Sequence, residues 1–361
     1  MASRVRYGMI GTGMMGLEHI QNLRVTPGAE LVAIHDPVAQ SLDWAKTASA
    51  GWCEPKVYEN GEALARSGEV DAIIIASPNH THRSVLEPII EAPVHILCEK
   101  PLATTIEDAR WIAEAAAGRS HAFWTAMEYR FMPPAAKFID QVHGGRVGRL
   151  QMLSIREHRF PFLPKVGDWN RFSRNTGGTM VEKCCHFFDL MRLIVQSEAV
   201  RVYCSGAMDV NHQDERYDGQ KPDIIDNSYT VVDFSNGVRA MLDLCMFADG
   251  AENQEEITAV GDKARLDVLI PEGSIVFSPR VGFMNPKQVE REHVGVDELA
   301  LSTGQHHGST YYQHQHFNAV VRGEGEVLVT AEDGLRAVEI GAAAELSARE
   351  KRAVTLEEVR T

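Results

Sequence analysis

The sequence predicts an α/β protein in two parts, a doubly wound, mostly parallel sheet followed by a second domain of antiparallel strands and helices. Three observations carry this expectation. A glycine-rich strand-to-helix turn stands at the start, over residues 5–16. Apolar strand-like runs then alternate with helical stretches as far as residue 126, the spacing of repeated βα units. Beyond that, β-patterned runs are separated by turn signals such as Asn236-Gly237. At 361 residues the chain is long for one core, which divides it into 1–126 and 127–361, with the last helices free to pack back on the first domain.

In order, residues 5–10 read as a strand and 14 onward as a helix carrying Leu17, Ile20 and Leu23 on one side. Between them Gly11, Gly13 and Gly16 form G-x-G-x-x-G, with Thr12, Met14 and Met15 in the variable positions. Gly11 permits the sharp turn, Gly13 lets a pyrophosphate approach the backbone, and Gly16 lets helix and strand pack closely. The helix N-terminus offers free N–H groups to phosphate. The next strand, 31–35, ends in Asp36, twenty residues after Gly16. A carboxylate there accepts hydrogen bonds from ribose hydroxyls and repels a 2′-phosphate. Pro37 follows it in place of an arginine that could pair with that phosphate, so the expected coenzyme is NAD rather than NADP. Arg4 and Arg6 lie away from this point and are expected to be solvated.

A helix over 39–50, a short strand at 57–58 and a short helix over 61–67 lead to 70–76, a strand apolar enough for the middle of a parallel sheet. It ends in the polar loop Ser77-Pro78-Asn79-His80-Thr81-His82, at the carboxyl end where open α/β sheets bind ligands. A helix over 83–91 contains Pro88. The strand 94–98 runs into Glu99-Lys100-Pro101, and a helix over 106–117 precedes the strand 121–125.

The glycine turn, the Ser77–His82 loop and Glu99-Lys100-Pro101, in this order and spacing, resemble the glucose–fructose oxidoreductase, inositol dehydrogenase and rhizopine-catabolism (Gfo/Idh/MocA) family. Trp169-Asn170-Arg171 is similar to its substrate loop, and the run Gly177-Gly178 to Glu182, His186 and Asp189 is similar to its Asp-x-x-x-His helix, with Glu182 in the usual Asp position. The resemblance spans essentially the whole chain. It implies an N-terminal Rossmann domain and a C-terminal α+β domain with a large, mostly antiparallel open sheet. The active site would lie between them, with dimers or tetramers formed through that sheet. It further implies that Ser77, Pro78, Asn79, His82, Glu99 and Lys100 join the glycine turn and Asp36 in holding the cofactor. Lys100, Trp169, Arg171, Glu182 and His186 would face the substrate.

In the second domain, Pro133-Pro134 opens a helix over 135–143, and the strand 149–158 follows Gly144, Gly145 and Gly148. Residues 160–174, rich in Pro, aromatic and basic types, form a long irregular loop of the kind that is usually functional. Strands are expected at 200–205, 228–234, 238–247 and 256–260, and closing helices at 311–321 and 332–349.

Glu182, His186 and Asp189 are spaced i, i+4, i+7, which puts them on one face if 181–194 is a single helix. On composition that face is merely solvated; the preceding glycines and the resemblance make His186 the catalytic base. Imidazole can take a hydroxyl proton near neutral pH, and Lys100 can stabilise the developing alkoxide. Glu182 carries one methylene more than aspartate, and either the substrate or His186 is what it would orient. Asp189 orients a neighbour, and Lys183 reads as a surface residue. Arg156, Arg159 and Arg171 either bind an acidic substrate or pair with the excess carboxylates.

The expected function is NAD-dependent hydride transfer at a secondary alcohol of a sugar, cyclitol or derivative. One alternative holds NAD tightly and makes the oxidation transient, in an oxidation–elimination–reduction sequence on a glycoside. A second is a non-catalytic NAD(H)-responsive binding protein, which would need neither Lys100 nor His186. The net charge of −14 argues against nucleic acid or anionic membrane as partner. His306-His307 and His314-x-His316 lack a completing carboxylate or Cys at ligand spacing, so no metal is expected. Six cysteines without C-x-x-C suggest a reducing compartment, with Cys184-Cys185 as packing. A first strand four residues after Met1 leaves no room for a signal peptide, and a cytoplasmic enzyme is expected.

Overall fold

The computed structural model describes residues 4–304 and 306–360; residues 1–3, 305 and 361 of the two expected domains lie outside them. The first sheet is six-stranded and wholly parallel, in the order β3-β2-β1-β4-β5-β6. Its strands are β1 (Val5–Ile10), β2 (Ala29–His35), β3 (Lys56–Val57), β4 (Ala72–Ile75), β5 (His95–Glu99) and β6 (Phe123–Ala126). Every residue of β4 is buried, as a central strand covered on both faces requires. The helices are α1 (Met14–Val25), α2 (Ala39–Ser49), α3 (Gly61–Ala65), α4 (His82–Leu86) and α5 (Ile106–Ala117). Helix α5 starts as the sequence indicates, with Thr105 Oγ1 accepting the Asp108 N–H at 3.2 Å. Helix α4 stops at Leu86 instead of running to 91, because Pro88 has no N–H and its ring crowds the carbonyl four residues back. The chain leaves β1 for β2 on one side and returns to β4 on the other. That reversal opens a crevice at the carboxyl ends of β1 and β4.

The second sheet has nine strands in the order β14-β13-β12-β11-β7-β10-β9-β8-β15. They are β7 (Leu150–His158), β8 (Ala199–Ala207), β9 (Asn227–Phe234), β10 (Arg239–Cys245), β11 (Glu255–Gly261), β12 (Ala264–Ile270), β13 (Ser274–Pro279), β14 (Glu290–His293) and β15 (Val354–Thr355). Neighbours are antiparallel except β7 and β10, which run parallel. The expected strands end at residue 260, whereas the sheet continues through β12, β13 and β14. Asn236-Gly237 turns β9 into β10 as the sequence indicates, with Gly237 at φ +87° and the Phe234 N–H on the Val238 carbonyl at 3.0 Å.

Helices α6 (Pro133–His143), α7 (Ser173–Thr176), α8 (Thr179–Glu182), α9 (Cys185–Val195), α10 (Glu298–Leu301), α11 (Ser309–Val321), α12 (Ala331–Glu350) and α13 (Leu356–Arg360) complete the chain. One face of the sheet buries alternate residues, among them Leu153, Ile155, Val232, Leu242 and Val268, under side chains of α6, α9 and α12. The other face lies open. On it Tyr203, Val231 and Met241 stand in register across β8, β9 and β10, each more than a third exposed.

Helices α11 and α12 reach back onto the first domain. Tyr7 Oη donates to Asn318 Oδ1 at 3.0 Å, and Thr125 Oγ1 donates to the Thr330 carbonyl at 2.9 Å. At Gly334 a Cβ would come within 3.0 Å of Leu102 and Thr125 side-chain atoms, so α12 lies directly on the nucleotide-domain surface. The irregular loop of the second domain thereby faces the carboxyl ends of the first sheet across a cleft, through Pro164, Lys165 and Trp169.

Candidate active site

Gly11 sits at φ +90°, and a Cβ there would lie 2.5 Å from the backbone of Ala76 and Ser77. Only glycine lets the end of β1 approach the end of β4 this closely. At Gly16 a Cβ would meet the Gly11 carbonyl oxygen at 2.5 Å, so this glycine serves helix–strand packing. Gly13 has nothing within 4 Å of its Cβ position, which keeps the mouth of the turn clear. Helix α1 begins immediately after it with no side-chain cap, leaving its first N–H groups for an anion. Asp36 is fastened to this turn. Its Oδ2 accepts the Thr12 N–H at 2.7 Å and Oγ1–H at 3.3 Å, and its Oδ1 accepts the Val38 N–H at 2.8 Å.

These groups open onto a cleft of about 1420 Å³. Gly11, Gly13, Met14, Met15, Asp36, Ser77, Pro78, Asn79, Glu99, Lys100 and Trp169 all line it, so most of the expected coenzyme residues share one wall. Clear backbone at the glycines, an uncapped helix start and an anchored carboxylate together suit a dinucleotide. Three expected coenzyme residues stand behind the wall instead: Thr12 holds Asp36, Gly16 packs helix on strand, and His82 is fully buried. The His82 ring nitrogens lie 3.0 Å from the Pro101 carbonyl and 3.1 Å from that of Ser77. His82 therefore staples the 77–82 loop to the segment after Lys100, and burial holds its imidazole below the ordinary histidine value.

Lys100 is where the two domains meet. Its Nζ donates to the Glu182 carbonyl at 3.3 Å. Burial alone would lower its ammonium, but Glu128, Glu99 and Glu182 around it hold it above the usual lysine value, so it stays charged. Glu99, beside it, is tied to His19 at 2.9 Å, and the other ring nitrogen of His19 faces His314 Nε2 at 2.9 Å.

The single helix expected over 181–194 is broken. Helix α8 ends at Glu182 and α9 begins at Cys185, with Lys183 and Cys184 at the kink. Glu182, His186 and Asp189 consequently do not share a face. Asp189 turns away and pairs with Arg130, which also donates to the Leu328 carbonyl at 2.7 Å. Glu182 is buried; its Oε1 lies 3.7 Å from Lys165 Nζ, and its Oε2 has no hydrogen-bond partner among the described residues. Burial pushes this carboxyl up, against Lys165, Lys100 and Arg171. Glu182 thus faces the 160–174 loop and does not orient His186.

His186 lies stacked on Tyr129, with ring centroids 4.1 Å apart and 9° between planes. It is 2% exposed. Burial, together with Lys100, Lys183, His306 and Arg159, holds its imidazole well below the ordinary histidine value, so it is neutral and able to accept a proton at neutral pH. Neither Glu182 nor His186 lines the large cleft; both lie beyond Lys100 on its second-domain side.

Trp169 does line the cleft, with Lys165 Nζ 4.8 Å from its ring centroid. Arg171 is buried behind it, donating to Glu215 at 3.0 Å and Asn170 at 3.3 Å, and is spent on holding the loop. Arg156 pairs with Glu256 and Arg159 with Glu157, so all three arginines pair with carboxylates. Arg6 is solvated as expected, with an exposed side chain that donates to Asp71 at 2.7 and 3.1 Å.

Lys183, expected at the surface, is 4% exposed. The kink turns it inward, where Nζ donates to Tyr129 Oη at 2.6 Å and reaches Glu157 Oε1 at 2.9 Å. Its signal was a charged residue between an apolar turn and two cysteines. Lys165 and Glu128 were likewise not singled out. Lys165 stands in the loop flagged as functional, whereas Glu128 lies in a crossover that showed no pattern. The thiol of Cys185 is pushed up to about 12 by burial, so it packs as a protonated side chain. His306 faces Glu18 at 2.8 Å and His307 faces Glu255 at 3.6 Å. Among the described residues no helix is long and apolar enough to cross a membrane.

Comparison with known proteins matches two family models. Residues 5–127 match the NAD-binding Rossmann fold of the Gfo/Idh/MocA oxidoreductase family, and residues 139–356 match its C-terminal alpha/beta domain. A myo-inositol 2-dehydrogenase of Thermotoga maritima is 27% identical over 356 residues, 98% of this chain and 99% of its own length. The rhizopine catabolism protein MocA of Rhizobium meliloti is 31% identical over 196 residues, 54% of this chain and 59% of that protein. Among solved structures, a probable dehydrogenase from Thermotoga maritima superposes with a TM-score of 0.79 at 26% identity, covering 98% of this chain and all of that one. A levoglucosan dehydrogenase in complex with NADH and levoglucosan shares the fold, with a TM-score of 0.82 at 18% identity over 98% of this chain and 100% of the other. With both halves matched in sequence order, the chain belongs to the Gfo/Idh/MocA oxidoreductase family.

Proposed function

We propose that this protein is an NAD-dependent dehydrogenase acting on a secondary alcohol of a cyclitol or sugar. The observation that carries the proposal is the junction at Lys100. Its ammonium, on the nucleotide-domain wall of the cleft, touches the α8 segment that leads to His186. In this reading the charged donor and the neutral imidazole act on one substrate oxygen. When bound, the nicotinamide supplies a hydride acceptor. Around it His186 takes the hydroxyl proton, and Lys100 donates to the same oxygen as negative charge develops there.

The surroundings favour a polyhydroxylated substrate over an acidic one. Glu182, whose backbone carbonyl accepts from Lys100, has a buried carboxylate oxygen without a hydrogen-bond partner among the described residues. Such an acceptor is stabilised by hydroxyl donors and repels carboxylates. The named activities of the relatives, myo-inositol 2-dehydrogenase and levoglucosan dehydrogenase, support the same class. Glu182 and Trp169 are the proposed substrate contacts beside Lys100 and His186. The preference for NAD rests on Asp36, whose carboxylate is held at the tip of β2 by two backbone N–H groups.

The open face bearing Tyr203, Val231 and Met241 supports self-association into a dimer or tetramer. The reduced cysteines suit work in the cytoplasm. A panel of cyclitols and sugars, followed by NADH absorbance, tests the activity. Turnover is expected with at least one member; none with any member would refute the proposal.

A further inference from the structure

The two ring nitrogens of His186 have different surroundings. Nε2 lies 3.6 Å from Glu128 Oε1. Nδ1 is buried and has no hydrogen-bond partner among the described residues. The stacking on Tyr129 fixes the ring plane, and the Tyr129 hydroxyl is itself held by Lys183 Nζ at 2.6 Å. Glu128 belongs to the short turn Glu128–Phe131 that follows β6, so it reaches His186 from a different element. It is 2% exposed, and neither of its oxygens has a hydrogen-bond partner among the described residues. A buried carboxylate in that condition is costly unless a donor is close, and the imidazole is the donor it faces.

We propose that Glu128 is the positioning residue for His186, its carboxylate beside Nε2 stabilising the imidazolium that forms when the ring takes the substrate proton. This rests on the role of His186 as the base. A carboxylate beside the ring favours the imidazolium once it forms. Lys100 at the end of β5, Lys183 at the kink, Arg159 after β7 and His306 all disfavour that imidazolium. Glu128 supplies the opposing charge. At 3.6 Å the contact is longer than a hydrogen bond, and catalytic contacts of this kind tighten when substrate is bound. Glu128 in turn faces Glu99, His306, Lys100 and His186. Burial, aided by Glu99, pushes its carboxyl up to about 7. The acid limb of oxidation therefore belongs to the Glu128–His186 pair.

Glu128→Gln keeps the shape and removes the charge. On a substrate identified by the panel, kcat should fall by about 10²- to 10⁴-fold, with NAD affinity unchanged. The acid limb of kcat/KM should change its position. In a His186→Ala background the same substitution should have no further effect. Nitrogen NMR gives a second readout, with the His186 imidazole expected to protonate at lower pH in Glu128→Gln than in the parent. Parental kcat and acid limb in Glu128→Gln, an equal loss in both backgrounds, or an unshifted His186 titration would each overturn the proposal. Parental turnover in His186→Ala alone is distinguishable from these, since it removes the base on which the proposal rests.

Discussion

Replacing Asp36 with alanine should weaken NAD and spare or strengthen NADP, so that the ratio of the two affinities collapses. The carboxylate is positioned by the N–H groups of Thr12 and Val38, at 2.7 and 2.8 Å, and Asp36 lines the cleft just after β2. A hydrogen bond to a charged acceptor contributes about 1.5–3 kcal/mol, so losing one from a ribose hydroxyl weakens NAD by about 10- to 100-fold. For NADP the dominant effect is the relief of repulsion. Two unit charges about 4 Å apart interact by about 1 kcal/mol in water and about 4 kcal/mol at an effective dielectric of about 20. The substitution also frees the Thr12 N–H and loosens the glycine turn, which lowers both affinities by a common factor. The ratio is insensitive to that factor and should change on the order of 10²-fold. Fluorescence titration with NADH and NADPH measures it. A parent enzyme that binds both forms equally, or a ratio unchanged by Asp36→Ala, would refute the reasoning.

Gly11→Ala places a Cβ 2.5 Å from the Ala76 and Ser77 backbone at φ +90°, which should cost about 2–5 kcal/mol from overpacking and backbone strain together; a parental urea midpoint would contradict this. Glu345 is buried, its Oε1 accepts the Met180 N–H at 2.9 Å, and burial pushes its carboxyl from 4.5 up to about 7. The folded protein then holds a proton that the unfolded chain has lost, so this group's stability contribution is present below pH 4.5 and disappears as pH rises through 7. Glu345→Gln should gain on the parent across that window, by up to about 3 kcal/mol; a difference in thermal midpoint independent of pH would be inconsistent with it. His82, His186 and His314, all held below the ordinary 6.5 by burial, impose the opposite slope, stability lost as pH falls below that value, which is why the comparison is between variant and parent. Light scattering should give a mass above the 40.0 kDa of one chain, and Val231→Glu on the open sheet face should reduce it; a monomeric parent at micromolar concentration refutes the interface.

The nucleotide half of the site was legible because its chemistry is local. Gly11, Gly13, Gly16 and Asp36 act through backbone geometry within two consecutive βα units, and their spacing along the chain carries that geometry. The bounds of α5 match the expected helix over 106–117. The second half depends on where a helix breaks. A continuous helix puts Glu182, His186 and Asp189 together; the kink at Lys183 and Cys184 separates them, turns Lys183 inward and hands Asp189 to Arg130. Nothing in the spacing marks that kink. Glu128 meets His186 across 58 residues of chain, a contact that only the packing of the turn Glu128–Phe131 beside α9 creates. Strand β12 shows clean alternation in Ala264, Leu266, Val268 and Ile270, all buried, and could have been recognised. Strand β14, with the sequence Glu290-Arg291-Glu292-His293 exposed throughout, offers no such pattern because it is an edge.

The central claim is that Lys100 and His186, drawn from two domains, serve one proton and one hydride at a single carbon. The measurement that tests it most directly is kcat for His186→Ala on the cyclitol or sugar found by the panel, with NAD affinity read in parallel. A fall of about 10²- to 10⁴-fold with NAD affinity preserved is the expected result. Turnover near that of the parent would contradict the account and leave His186 as a buried histidine packed on Tyr129.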